Sequence, residues 1–124
     1  MSGSLKAKSD KCWELADSLR SAKDFNNCAS RMYYSIFQAV VHYAVIKERY
    51  SPAETIERKL NAHKLMNRVV ERVLPAAKDL YEDMRELRNK ADYDPEDVSA
   101  AEIDQTVFFR MQGIRESFLK EAAK

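Results

Sequence analysis

The hydrophobic pattern of the chain is dominated by one long segment, residues 26–50, that contains no Pro or Gly and is apolar around most of a helix. At about 100° per residue its polar side chains fall within one narrow arc. The members of this arc are Asn27, Arg31, Ser35, Gln38 and His42. A surface helix of a globular protein has a single apolar stripe, so this pattern predicts a central helix that several neighbours cover. The polar arc is expected to face water, a partner or a site.

Amphipathic patterns predict further helices on both sides of the central one. Residues 5–24 form a first helix, and Asn26–Asn27 suits the turn that follows it. Ser51-Pro52-Ala53-Glu54 combines an N-cap Ser, a Pro at the first helical position and a Glu three residues after the Ser. This capping box predicts a third helix, in which we expect a bend or a break at residues 61–63.

The C-terminal half of the chain predicts two more helices. Pro75 disfavours the α conformation at the residue before it, so a fourth helix is expected to begin there and to end near residues 92–95. Ser99 and Glu102 form a second capping box, which begins a last helix that runs to about Ala122. The predicted fold class is all-α, an up-and-down bundle of four long helices plus a shorter one.

Composition supports this fold class and excludes several others. The chain of 124 residues suits one domain, residues 1–124, and its two Gly and three Pro are too few for the turns of an all-β fold. The formal net charge of +1 gives no global attraction to nucleic acid or membrane. Polar residues interrupt the central segment, so we expect no membrane span. Cys12 and Cys28 lack CxxC spacing, which favours free thiols in a cytoplasmic protein without metal or cofactor.

Candidate chemistry concentrates on the fourth helix. Arg88 and Asp92 are four residues apart and therefore neighbours on a helix. An exposed pair of this kind is worth about 0.3–0.5 kcal/mol, but the planar guanidinium can also bind a phosphate while Asp92 and Tyr93 orient it. Arg31 lies in the polar arc of the central helix, where its simplest role is to pair with an acidic side chain such as Asp92. His63 and His42 are more often structural residues of a bundle than catalytic bases.

Three stretches carry a resemblance to a known family. Residues 29–39 read ASRMYYSIFQA and are similar to the motif A-x-R-x-Y-Y-A-x-F-x-A, and residues 87–94 read LRNKADYD and are similar to L-R-N-x-A-D-Y-D. A weaker match is Ala62-His63-Lys64, where many members carry a His or Lys pair. On these residues the chain resembles the HEPN family of small helical bundles, over most of its length.

The resemblance implies a function as well as a fold. In ribonuclease members an Arg is followed after four to six residues by a His, and here the corresponding positions are Tyr93, Asp94 and Pro95. The match is therefore to the R-x-x-A-D-Y branch, often encoded beside minimal nucleotidyltransferases. It implies a nucleotide- or RNA-binding module that partners a minimal nucleotidyltransferase in a toxin–antitoxin-like or defence system. The binding residues implied are Arg88, Asp92 and Tyr93, joined by Arg31 and Arg85.

Two alternatives stay open at this point. One is a metal-independent ribonuclease toxin in which Arg88 is the catalytic residue and stabilises the charge of the transition state. The other is a non-catalytic helical adaptor. A homodimer is also expected, because so apolar a central helix is hard to cover with four neighbours of one small chain, and because HEPN domains commonly pair around a shared cleft. In that dimer the two Arg88 side chains would meet one phosphate-bearing ligand.

Overall fold

The computed structural model describes residues 2–50 and 59–124, and all regular structure in these ranges is helical. The α-helices are α1 (Ser2–Ser21), α2 (Phe25–Lys47), α3 (Lys59–Val73), α4 (Lys78–Tyr93) and α5 (Gln105–Ala123). Short 3-10 turns, Pro75–Ala77 and Ala101–Ile103, precede α4 and α5. The all-α prediction is confirmed. The predicted division into four long helices and a shorter one is not confirmed, since α3 and α4 have nearly equal lengths of 15 and 16 residues.

Helix α2 lies at the centre of the bundle. It packs against α1, α3, α4 and α5, and side chains that point in different directions from it, such as Ser35, Ile36 and Val41, are wholly buried. Among the large apolar side chains of α2, Ile46 is the one with substantial exposure, at 39%. The prediction of a central helix is therefore confirmed. The apolar surface that was expected to need a second copy is covered within the chain.

The polar arc of α2 faces α1 over part of its length rather than water. Ser35 is wholly buried and donates from Oγ to the carbonyl oxygen of Ser9 at 2.7 Å, while Ser9 Oγ donates to the carbonyl oxygen of Ser35 at 2.6 Å. Each buried hydroxyl is thus paired with a backbone acceptor, as buried polar groups require. Serine at both positions leaves room for the two helices to approach closely.

Helix α5 is attached to the other side of the bundle by aromatic and polar contacts. Trp13 of α1 packs on Phe108 with 4.7 Å between ring centroids. Nη1 and Nη2 of Arg115 each donate to Asp10 Oδ1 at 3.0 Å, and Arg20 Nε donates to the carbonyl oxygen of Ile103 at 3.1 Å. These contacts hold α5 and the turn before it against α1. Helix α5 also packs on α2, as α3 and α4 do.

Helix boundaries agree with the predicted caps at some places and differ at others. The expected bend at residues 61–63 is wrong: α3 continues through them, because no Gly or Pro interrupts it and its buried residues Ala62, Met66 and Val69 keep helical spacing. Ser99 and Glu102 form the predicted capping box, but it closes the 3-10 turn, and Asp104 caps α5. The box at residues 51–54 lies outside the described residues.

Candidate functional site

A cleft of about 620 Å³ opens where α1, α2, α3 and α4 meet. Its lining combines cationic, aromatic and apolar side chains with one amide and one imidazole. The lining residues are Leu5 and Lys8 of α1, Tyr34, Phe37, Gln38 and Val41 of α2, Ala62 and His63 of α3, and Arg88 and Tyr93 of α4. On α1, α2 and α4 the lining includes residues three to five positions apart, and α3 contributes the adjacent Ala62 and His63. The cleft therefore follows from helical faces that converge on one point.

Arg88 is the most constrained cation of the cleft. Its Nη2 donates to the hydroxyl of Tyr34 at 2.6 Å, and its Nη1 donates to Asn89 Oδ1 at 3.1 Å. Its Nε lies 3.1 Å from Asp92 Oδ2 in an ion pair. The guanidinium carbon is also 5.2 Å and 5.5 Å from the ring centroids of Tyr34 and Tyr93, within the range of cation–π attraction. The side chain, 13% exposed, is therefore held in one orientation at the wall of the cleft.

Asp92 connects the arginine to the central helix. Ser30 Oγ donates to Asp92 Oδ1 at 2.6 Å, while the other carboxylate oxygen faces Arg88. The predicted i, i+4 pair of Arg88 and Asp92 is present, but the α2 residue that reaches Asp92 is Ser30. Arg31, one position along and about 100° around the helix, is exposed and forms no ion pair with Asp92. Arg31 is also absent from the lining of the cleft.

Tyr93 and Arg85 take different positions from each other. Tyr93 ends α4, is 74% exposed, and places its ring beside Arg88 at the mouth of the cleft. Arg85 is partly buried and does not line the cleft. Burial raises the pKa of Tyr33 and lowers that of His63, and the charge of Arg85 opposes the first shift and adds to the second. Two of the five predicted residues, Arg88 and Tyr93, thus line the cleft. Asp92 contacts Arg88, and Arg31 and Arg85 are absent from the lining.

His63 is the cleft residue whose importance the sequence did not reveal. Its Nδ1 is hydrogen-bonded to the hydroxyl of Tyr33, and its ring packs against those of Tyr33 and Phe37, with centroid distances of 5.4 Å and 4.8 Å. Burial, followed by the charges of Arg85 and Arg88, lowers the pKa of His63 to about 4. The imidazole is therefore uncharged at neutral pH. The weak Ala62-His63-Lys64 match was the only sequence signal that pointed to it.

A second buried phenol stands behind this pair. Burial raises the pKa of Tyr33 to about 12 and holds that of Tyr81 well above its usual range. Both side chains are wholly buried, and their rings are 5.9 Å apart. Both hydroxyls therefore remain protonated at neutral pH and act as neutral dipoles behind the imidazole.

Other kinds of site find no support in the part of the chain that the structure describes. No group of three or more His, Cys, Asp or Glu side chains there is placed to hold a metal ion. Cys12 and Cys28 are buried free thiols, as predicted, and no helix in residues 2–50 and 59–124 is long and apolar enough to cross a membrane.

No family model, curated protein or solved structure matches this chain. What the cleft can bind therefore has to be inferred from its own chemistry. An oriented guanidinium and an ammonium group favour an anion, above all one with several oxygens. Aromatic walls favour a flat ring or an apolar group. A ligand that contains both, in a volume of about 620 Å³, fits the cleft better than a simple ion.

Proposed function

We propose that the cleft binds a nucleotide phosphate, either in a free nucleotide or in RNA. The observation that carries the proposal is Arg88, a largely buried guanidinium oriented by Tyr34 and Asn89 at the wall of a cleft that Lys8 also lines. Guanidinium groups bind phosphate oxygens through paired, charge-assisted hydrogen bonds. An oriented side chain also loses little conformational entropy when the ligand arrives.

The aromatic side chains extend the proposal from a phosphate to a nucleotide. Tyr34, Phe37 and Tyr93 line the cleft around Arg88, and stacking of a base on an aromatic ring contributes about 1–3 kcal/mol. The cleft volume of about 620 Å³ lies within the range of roughly 300–1,000 Å³ that small-molecule sites occupy. A mononucleotide, or one nucleotide of an RNA strand, is a ligand of suitable size.

The wider setting of this function rests on the family resemblance. We propose a HEPN-like module of the R-x-x-A-D-Y branch that works in the cytoplasm with a minimal nucleotidyltransferase, in a toxin–antitoxin-like or defence system. A homodimer belongs to the same proposal. Its support is now the resemblance alone, because the chain covers the apolar faces of α2 itself. Light scattering checks it: a mass near the monomer value of 14.4 kDa would remove the dimer.

Binding of adenosine 5′-monophosphate, measured by calorimetry beside adenosine, tests the central proposal. The nucleotide should bind more tightly than the nucleoside. Arg88→Ala should weaken nucleotide binding at least about tenfold, since hydrogen bonds to charged groups contribute about 1.5–3 kcal/mol. Arg88→Lys should recover part of the loss, because it keeps the charge but not the fork. Arg110→Ala, which removes an exposed arginine of α5, is the matched control. Equal affinity for nucleotide and nucleoside would refute the proposal.

A second candidate function is a metal-independent ribonuclease, and one observation favours it: His63 and Arg88 line the same cleft. An imidazole and a guanidinium near one phosphate are suitable groups for RNA cleavage. Labelled RNA incubated with the protein in EDTA decides the matter. Loss of full-length RNA with wild type, but not with Arg88→Ala, supports the enzyme. Equal RNA recovery with both proteins excludes it, and absence of nucleotide binding as well would leave the helical adaptor.

A further inference from the structure

The hydrogen bond between Tyr33 and His63 determines which nitrogen of the imidazole carries the proton. A neutral imidazole has one N–H donor and one acceptor nitrogen, and the partner of one nitrogen fixes the role of the other. The Tyr33 hydroxyl is bonded to Nδ1. A phenol O–H is a good donor and its oxygen a poor acceptor, because the ring delocalises the lone pair, whereas an unprotonated imidazole nitrogen is a strong acceptor. The favoured arrangement has Tyr33 donating to Nδ1.

The surroundings of Tyr33 support this direction of the bond. Tyr81 is wholly buried beside it, and the Tyr81 hydroxyl has no partner of good hydrogen-bond geometry among the described residues. The Tyr33 hydroxyl interacts with it. When Tyr33 donates to His63, its oxygen stays free to receive the Tyr81 proton. In the opposite direction, with Nδ1–H as the donor, one of the two phenol protons would have no acceptor in this cluster, and unpaired donors inside a core are costly.

The remaining nitrogen of His63 is Nε2. The ring packs against those of Tyr33 and Phe37, Nδ1 is hydrogen-bonded to Tyr33, and no hydrogen bond joins Nε2 to a described residue. His63 nevertheless lines the same cleft as Arg88. A polar atom in this position, on a ring that neighbouring rings hold in place, is pre-organised for a ligand.

We propose that Tyr33 fixes His63 as the Nε2–H tautomer, and that His63 thereby contributes an uncharged hydrogen-bond donor to the nucleotide bound in the cleft. This inference rests on the proposed function and adds a ligand-binding residue to it. It also bears on the ribonuclease alternative, because an Nε2 that already carries a proton cannot accept one from an attacking hydroxyl. Arg88 offers the ligand a positive charge, whereas His63 offers it a directional hydrogen bond from an uncharged group.

The tautomer is measured on the ligand-free protein, so this step does not depend on nucleotide binding. Long-range ¹H–¹⁵N correlation spectra distinguish the two nitrogens, and the chain has only two histidines, so His63→Gln assigns the signals. At neutral pH His63 should show a protonated Nε2 and an unprotonated Nδ1. Tyr33→Phe should shift the signals toward a mixture of tautomers. A protonated Nδ1 in the wild-type protein would overturn the inference.

The donor role is tested with adenosine 5′-monophosphate and a matched pair of variants. His63→Phe keeps an aromatic ring against Tyr33 and Phe37 but has no donor, and His63→Gln places an amide N–H near the position of Nε2. His63→Phe should weaken binding about tenfold, the size expected for one hydrogen bond to a charged group, and His63→Gln should restore most of it. Thermal melting verifies that both variants are folded.

The outcomes separate this inference from the proposed function. If Arg88→Ala weakens nucleotide binding while His63→Phe and His63→Gln bind like wild type, the donor role is wrong and the nucleotide site stands. If wild type binds no nucleotide, the proposed function and the donor role both fail. A large loss in both His63 variants, with the fold intact, contradicts the donor role as well, because restoring the N–H would then have no effect.

Discussion

Acid should destabilise this protein through His63 in a pH range where carboxylates contribute little. The pKa of this group falls from the ordinary 6.5 to about 4 in the folded chain. Between these values the unfolded chain binds a proton that the folded chain does not, so stability rises with pH there and is lost as pH falls from about 6.5 toward 4. Each pKa unit corresponds to about 1.4 kcal/mol, which sets a ceiling of about 2 kcal/mol by pH 5. Because the ring borders an open cleft, solvent screening reduces this to about 1 kcal/mol.

The ionisable groups around the imidazole explain why the proton uptake of the cleft in this pH range is assigned to His63. The ionisable groups around it are Lys8 of α1, the phenols Tyr33 and Tyr34 of α2, and Arg85, Arg88 and the phenol Tyr93 of α4. All are cationic or phenolic, and none of them is a carboxylate or a second imidazole. The proton gained in this range by the cleft is therefore the one on His63.

Urea unfolding of wild type and His63→Gln, at about pH 7 and about pH 5, measures the effect. Wild type should lose about 1 kcal/mol more of its free energy of unfolding than the variant does over this interval. His42 and the carboxylates are present in both proteins, so their contributions cancel in the comparison. Equal losses in the two proteins would show that His63 titrates normally, and the assignment of an uncharged, buried imidazole would then be incorrect.

Three further predictions concern packing, helix propensity and the cleft. Ser35→Ala removes a buried hydrogen bond between α1 and α2 and should lower the free energy of unfolding by about 1 kcal/mol. Ser18→Ala, at an exposed position of α1, is the control. An unchanged denaturation midpoint of Ser35→Ala would contradict this prediction. Gly113→Ala should raise the stability by about 0.5–1 kcal/mol, because an added Cβ meets nothing within 4 Å and Ala favours a helix; a lower melting temperature would refute this. Asp92→Asn removes the carboxylate that competes with the ligand for Arg88 but keeps an acceptor for Ser30. Affinity for adenosine 5′-monophosphate, measured by calorimetry, should therefore rise severalfold. Weaker binding would mean that the carboxylate chiefly orients the arginine.

The hydrophobic pattern predicted the architecture because it reports how many neighbours a helix has. Helix α2 is apolar on most sides, and it packs on α1, α3, α4 and α5. The pattern reports less about contacts at close range. Ser35 lies on the polar arc but is wholly buried, because a small residue that can bond to a neighbouring backbone suits a tight helix crossing. Trp13 lies beside the apolar stripe of α1 but is buried by Phe108 of α5, a residue far away in sequence.

In the candidate site too, contacts within one helix could be predicted from the sequence, whereas contacts between helices could not. Arg88, Asp92 and Tyr93 lie within two turns of one helix, so their neighbourhood follows from helical geometry. His63 lies 25 positions before Arg88 on another helix, and the rotation of α3 relative to α4 depends on packing that no local pattern encodes. Whether Ser30 or Arg31 contacts Asp92 also depends on how α2 is rotated about its axis, since consecutive side chains of a helix point about 100° apart.

The contacts of Arg88 set a limit on how tightly the cleft can bind an anion. Tyr34, Asn89 and Asp92 already contact its guanidinium, so a phosphate does not meet an unpartnered charge. The phosphate has to replace some of these existing contacts. The affinity therefore reflects only the difference in free energy between the new contacts and those that they replace. Arg88 alone therefore makes a weak anion site, similar to many structural ion pairs. What distinguishes it is the cleft beside it, where aromatic walls and the neutral His63 add contacts that an isolated phosphate cannot use and a nucleotide can.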